Sequence, residues 1–374
     1  MINRDRMVQT FLELVQIDSP SGEEAEFRQA MIQRLRALGL TTEVDPYGNL
    51  IARLEDGAGE YVLLSAHMDT VEPGRGIKPV IRDGVITSDG TTILGGDDKS
   101  GVAIILEILQ LIRERDLPHP PIEVVLTVEE ELGLQGARNL AMERLRSRWG
   151  LVLDSGGPPG MITRSGPSAD MFQVTIRGKG AHAGLRPEEG VNALAIAAEA
   201  LTRMPLGRVD HETTCNMGVI QGGTARNAVP AEVHLFGEAR SRNNAKLELL
   251  SQIIINALEQ TTARWGGQLE LEHSHNYRAY RLPDDAPIIQ AVIQANRELG
   301  YEPVLREGGG GTDGNHYNAA GIQTVTISSG QQAVHTVKEY LPIDDFVGCG
   351  EVALKTVMTM TASPSQPQDM ANGL

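Results

Sequence analysis

The chain has 374 residues, 41% of them hydrophobic and 22% charged, an ordinary globular composition that is long for one core and suits two domains. Its formal net charge of -16, with no Lys/Arg run, excludes nucleic acid and anionic membranes as natural partners, and no uncharged stretch reaches the roughly 18–20 residues of a membrane span. Only Cys215 and Cys349 occur, with no C-x-x-C pair, so a disulfide framework is not expected and a reducing cytoplasm fits best.

Residues 7–17 follow a polar start and are interrupted by Gln9, Glu13 and Gln16, which reads as an amphipathic helix and not as a secretory signal. A second helical period covers 24–38, with Ser21 as its cap and Gly39 as its stop. Short apolar runs at 61–66, 122–128, 151–153 and 324–327 alternate with helical patterns such as 102–113 and 288–299. This alternation predicts buried strands of an α/β sheet flanked by helices. The helix after Gly101 is apolar on nearly every face at first and belongs in the core.

The middle of the chain changes pattern. Strand periods at 171–177, 215–220, 229–239 and 268–273 surround helical periods at 188–203 and 245–264. The order β-α-β-β-α-β is ferredoxin-like. Its position implies an inserted domain at 168–280, with 1–167 and 281–374 forming a discontinuous larger domain. The tail at 362–374, rich in Ser, Pro, Gln and Asn, is expected to fray.

Ligands of open α/β sheets bind beyond the carboxyl ends of the strands. Here those ends carry His67-Met68-Asp69, Glu129-Glu130-Glu131 and Asp154, and the fourth reaches His335 within a short loop. Between the first two lies G-G-D-D-K-S-G at 95–101, a turn feeding the buried helix. Each feature has a plain alternative: a hydrogen-bonded loop His, a solvated Glu run, an Asx turn, or N-capping by Asp-Asp-Lys. Together, two His and several carboxylates suit Zn²⁺, Mn²⁺ or Co²⁺ better than Ca²⁺ or Mg²⁺.

The motifs H-M-D-T, G-G-D-D-K-S-G, T-V-E-E-E-L-G, V-L-D-S-G-G and H-T-V-K-E-Y-L-P, in that order between about residues 7 and 360, resemble those of the co-catalytic zinc peptidases. That family includes peptidase T, glutamate carboxypeptidases, succinyl-diaminopimelate desuccinylase and aminoacylases. The inserted domain matches through G-K-G-A-H-A-G and G-G-T-A-R-N-A-V-P, and the peptidase T-like proteins are nearest, judging from V-L-D-S-G-G and G-G-G-T-D-G-N.

The resemblance implies a zinc-exopeptidase-like catalytic domain with a mixed sheet and an inserted lid and dimerisation domain. It implies two divalent ions per subunit, zinc first among Zn²⁺, Mn²⁺ and Co²⁺. His67, Asp97 and Asp154 would hold one, and Asp97, Glu131 and His335 the other. Asp97 would precede a cis peptide, and Asp69 would fix the ring of His67. Glu130 would be the general base towards a water shared by the metals. His182 would donate to the oxyanion, while Asn227 and Arg240 would contact substrate. The segment 308–315 would line the cleft. The implied activity is a tripeptidase-like aminopeptidase acting on small peptides, working as a homodimer through the lid. Other readings are an N-acyl-amino-acid amidohydrolase or carboxypeptidase of the same family, or a metal-free binding protein of the same fold.

Overall fold

Residues Val62–His67 and Ile122–Thr127 are buried at every position, the signature of strands covered on both faces. The structure, a computed structural model, describes residues 1–360; the tail at 362–374 lies outside the described residues. The chain divides into two units, the larger from Met1–Ser165, Arg281–Gly308 and Thr312 onward, the smaller from Gly166–Tyr280 with Gly309–Gly311.

The larger unit is built on an eight-stranded mixed sheet. Its strand order is Thr41–Val44, Leu50–Leu54, Ile122–Thr127, Val62–His67, Trp149–Val152, Gln323–Ile327, Met161–Thr163 and Val304–Arg306. The four strands from Ile122–Thr127 to Gln323–Ile327 run parallel, so their carboxyl ends share one edge. Leu50–Leu54 and Met161–Thr163 flank them antiparallel.

Helix Gly96–Arg115 packs on Val62–His67 and against helices Arg4–Val15 and Ile343–Met360. Fifteen residues of this segment after Gly96, including Val102–Ile105 in sequence, are buried, as its apolar start requires. A second cluster joins Ile51, Leu63, Val125, Val152 and Tyr317. The Tyr317 hydroxyl is 3.0 Å from that of Ser65, so its buried polar end is satisfied.

The smaller unit is an antiparallel sheet in the order Gly207–Arg208, Thr213–Gly222, Glu232–Ser241, Ser168–Arg177, Gln268–Tyr277. Helices Ala193–Thr202 and Asn244–Arg264 pack on it over a core that includes Phe172, Val174, Ile196, Leu235 and Ile254. Taken in chain order, the four long strands lie 2-3-1-4, which is the ferredoxin-like arrangement. Among the described residues no helix is long and apolar enough to cross a membrane.

Two local expectations are corrected. Ser21 does not cap the second helix, which spans Ala25–Ala37 behind Glu24 and has no side-chain cap bond; its hydroxyl donates to Asp69 instead. The helix expected at 188–203 is split into a 3₁₀ turn, Pro187–Glu189, and helix Ala193–Thr202. Val191 exchanges two backbone hydrogen bonds of 2.9 Å with Lys179, which a continuous helix would forbid, and Asn192 then caps the new start.

Gly150 sits where Trp149–Val152 passes its neighbour, and a Cβ there would meet the Leu63 Cβ at 2.6 Å. Gly150→Ala should lower stability by about 1–3 kcal/mol through overpacking. A urea midpoint equal to that of the parent would contradict the packing described.

Candidate metal centre

His67 ends its strand with a side chain that is almost fully enclosed. Its Nδ1 lies 2.9 Å from the Asp69 carbonyl oxygen and 3.3 Å from Asp69 Oδ1. Both partners accept, so Nδ1 carries a proton, and with a metal bound Nε2 would be the ligand atom. Nε2 lies 3.1 Å from Asp97 Oδ1.

Asp69 has a second task. Its carboxylate accepts the main-chain N–H of Glu130 at 2.9 Å, that of Glu131 at 3.2 Å, and the Ser21 hydroxyl at 2.7 Å. Glu129, just before, adopts the left-handed φ of 49°, and its Oε2 accepts from the Tyr47 hydroxyl. With the Glu129 N–H donating to Glu24, the triple Glu is anchored at each main-chain step; Glu130 and Glu131 turn towards the same cluster as His67, while Glu129 turns to Tyr47.

Asp97 and Asp98 lie at the head of the buried helix but do not cap it. Both have non-helical backbone angles, the Asp97–Asp98 peptide is cis, and the N-cap is Gly95. Asp98 turns inward and accepts the main-chain N–H groups of His67 and Gly101. A Cβ on Gly101 would come within 2.5 Å of Asp98 Oδ1, so this approach requires glycine. Asp97 turns the other way, with Oδ1 facing His67 and Oδ2 3.2 Å from His335 Nε2. His335 Nε2 is also 2.8 Å from Glu131 Oε1.

Ligand-type atoms of His67, Asp97 and Asp154 lie within 4.8 Å of one another, and so do those of Asp97, Glu131 and His335, and of His67, Glu130 and Glu131. Ligands sharing a tetrahedral ion at roughly 2.0–2.2 Å stand about 3.3 Å apart. The two Asp97–His separations fit that spacing, one on each carboxylate oxygen. Glu131 Oε1 is buried and meets the same His335 Nε2 that Asp97 Oδ2 faces, so two carboxylates converge on one imidazole nitrogen. The donor set, two imidazoles among clustered carboxylates, fits two divalent ions.

The electrostatics tell of too little positive charge. Burial, joined by neighbouring carboxylates, pushes Glu130 and Asp154 well above the usual carboxylate range. Burial also raises Asp313, to about 6. Asp97 goes the opposite way: burial works against its charge, but hydrogen bonds from His335 and His67 outweigh it. The His335 imidazole is raised to about 10 by its hydrogen bonds to Asp97 and Glu131. Divalent cations would relieve the same imbalance.

His67, Asp69, Asp97, Glu130, Glu131, Asp154 and His335 thus gather in the larger unit. His182, Asn227 and Arg240 lie in the smaller unit. There His182 and Asn227 are neighbours: the Ala183 N–H donates to the Asn227 carbonyl at 2.9 Å, and both side chains are exposed. Arg240 pairs with Glu238 at 2.8 Å. Reasoning from sequence passed over Gln331, whose amide donates to Asp97 Oδ1 at 3.2 Å, and Asp313, which accepts from the Thr127 hydroxyl. The signal for Asp313 was its place in the segment 308–315.

Residues 63–359 match the family described as Peptidase family M20/M25/M40. The chain belongs to this family. As an M20 peptidase it is a hydrolase acting on peptide bonds. A Bacillus subtilis relative, the uncharacterised protein YqjE, is 38% identical over 366 residues, 96% of this chain and 99% of its own. Among solved structures, aminopeptidase PepT from Bacillus cereus is 39% identical with a TM-score of 0.88, covering 97% of this chain and 100% of that one. A tripeptidase from Staphylococcus aureus is 36% identical with a TM-score of 0.93 and the same coverage.

Proposed function

We propose that this M20 peptidase is a two-metal aminopeptidase that removes the N-terminal residue from tripeptides and similar small peptides. The observation that carries the reading is the Asp97 carboxylate, whose two oxygens face two different imidazoles. His67, Asp97 and Asp154 would hold one divalent ion and Asp97, Glu131 and His335 the other, with zinc the expected metal and manganese or cobalt able to use the same donors. Such ions polarise a peptide carbonyl and make water a usable nucleophile near neutral pH.

The chain's own residues supply the rest. Glu130 stands beside the ligand cluster on backbone fixed by Asp69, and it takes the proton of the attacking water and returns it to the leaving amine. Asp69 keeps the His67 ring in one tautomer. His182 donates to the carbonyl oxygen as negative charge develops there. Asn227 and Arg240 contact the peptide backbone or its carboxylate, Arg240 through its two-pronged guanidinium. The smaller unit acts as lid and as the interface of a homodimer. A reducing cytoplasm suits the two buried, unpaired cysteines, Cys215 and Cys349. The tripeptide preference is supported by the similarity to a tripeptidase and to aminopeptidase PepT over nearly the whole chain.

A panel of tripeptides with free or blocked amines, assayed before and after chelation, tests the reading. Free-amine tripeptides should be cut, blocked ones spared, and chelation should stop hydrolysis until divalent metal is restored. Faster cleavage of the blocked peptides would move the chain to the deacylases, and full activity without metal would refute the centre.

The adjacent acids separate base from ligand. Glu130→Gln should keep bound metal while kcat falls about 100-fold or more, whereas Glu131→Gln should lose metal. Reversed phenotypes would exchange the two roles.

His182→Ala should leave metal content intact and lower kcat by about 100- to 1,000-fold, the usual worth of an oxyanion donor. Mixing it with Glu130→Gln protein reveals which subunit it serves. Recovered activity in mixed dimers means action across the interface; none, in a sample shown to contain mixed dimers, means action within the subunit or a purely structural His182.

A further inference from the structure

One distant stretch of chain grips the shared acid from three sides. Gln331 and His335 meet the two oxygens of its carboxylate at 3.2 Å each. Glu339, four residues beyond His335, meets its backbone: Oε1 accepts the Asp97 N–H at 2.9 Å, while Oε2 accepts those of Leu94 and Gly95 at 2.8 Å each. The loop is closed on itself, because Gln332 and Tyr340 exchange backbone hydrogen bonds of 3.0 and 3.1 Å. His335 and Glu339 are thereby carried on one braced turn.

We propose that Glu339 is a positioning residue of the metal centre, which sets the direction of the Asp97 carboxylate by fixing the main chain on which it stands. The inference rests on the two-metal reading. Glu339 is 1% exposed, and a carboxylate so deeply placed is costly unless its charge is met by hydrogen bonds. All three of its bonds go to main-chain N–H groups at the head of helix Gly96–Arg115, where such groups lack partners within the helix. They clamp both the approach to Asp97 and Asp97 itself, immediately before the kink that turns its side chain away from that of Asp98. Gly96 makes the approach possible, since a Cβ there would stand 3.0 Å from Glu339 Oε1. With the backbone free to rotate, the two carboxylate oxygens could no longer face both imidazoles at once.

Cobalt titration of the purified full-length protein, followed by visible absorption, tests this alongside thermal melting and steady-state kinetics. The unaltered chain should bind two equivalents of Co²⁺. Glu339→Gln offers one acceptor atom and turns an amide N–H towards main-chain donors. It should weaken Co²⁺ binding about 10- to 100-fold, shift the cobalt bands, and lower kcat with little change in KM. Gly96→Ala keeps the carboxylate but forces it back, and should act in the same direction. Glu339→Asp restores the charge at a shorter reach and should lie between Glu339→Gln and the parent. A melting point lowered by these changes, with cobalt titration and spectrum identical to those of the parent, would reduce Glu339 to a structural helix anchor and overturn the inference. Should Glu339→Gln fail to fold, the Gly96→Ala and Glu339→Asp titrations decide by the same criterion. Failure of the unaltered chain to bind Co²⁺ would overturn the two-metal reading, and this inference with it.

Discussion

Surplus negative charge held out of water is the condition on which the larger unit is organised. Asp69, Asp97, Asp98, Glu130, Asp313 and Glu339 are all buried near one edge of the sheet. Unmet carboxylates in such surroundings would cost several kcal/mol each. The chain meets them in separable ways. Main-chain N–H groups serve Asp69, Asp98 and Glu339; hydroxyls of Ser21 and Thr127 serve Asp69 and Asp313; imidazoles serve Asp97. Burial still pushes Glu130, Asp154 and Asp98 towards their neutral forms.

The parallel strands make this concentration possible. Four carboxyl ends on one edge bring side chains from residues 67, 130, 154 and 335 together, although their strands are far apart in sequence. The same arrangement explains the buried helix at Gly96, whose head supplies unpaired N–H groups to this acidic edge.

Much of this was legible in the amino-acid sequence because the types are demanding. A strand buried on both faces is mainly apolar, so Val62–His67 and Ile122–Thr127 stand out despite the buried Ser65 and Glu123, with ends displaced by a residue or so because hydrogen bonding and not apolarity ends a strand. Residues suited to ligation must be His or carboxylate near a strand end, which draws attention to His67, the triple Glu at 129–131, Asp154 and His335; only the resemblance to the family's motifs picks Glu131 out of the three. The role of Asp69 towards His67 was expected from the resemblance; what escaped is the support given to the main chain. Glu339 and Asp69 act on main-chain N–H groups, which every residue but proline carries, so nothing at the receiving end marks the pairing. Ser21 looks like a helix cap because serine before a helical period usually is one; only the fold brings Asp69 within its reach. The break at Gly190–Val191 was hidden by the alanine-rich period that follows it.

The larger unit is interrupted by the smaller one, and this has a consequence for the growing chain. On a ribosome, Asp154 emerges 181 residues before His335 (335 − 154), with nearly all of the smaller unit in between. At roughly 5–20 residues per second the delay is on the order of 10–40 s. During that time the strand Gln323–Ile327 is missing from between Trp149–Val152 and Met161–Thr163, and the sheet cannot close. The stretch that follows this strand carries both His335 and Glu339, which meet the side chain and the main chain of Asp97. On the two-metal reading proposed above, a chain that stops short of this stretch would lack ligands for the second ion and should not hydrolyse peptides.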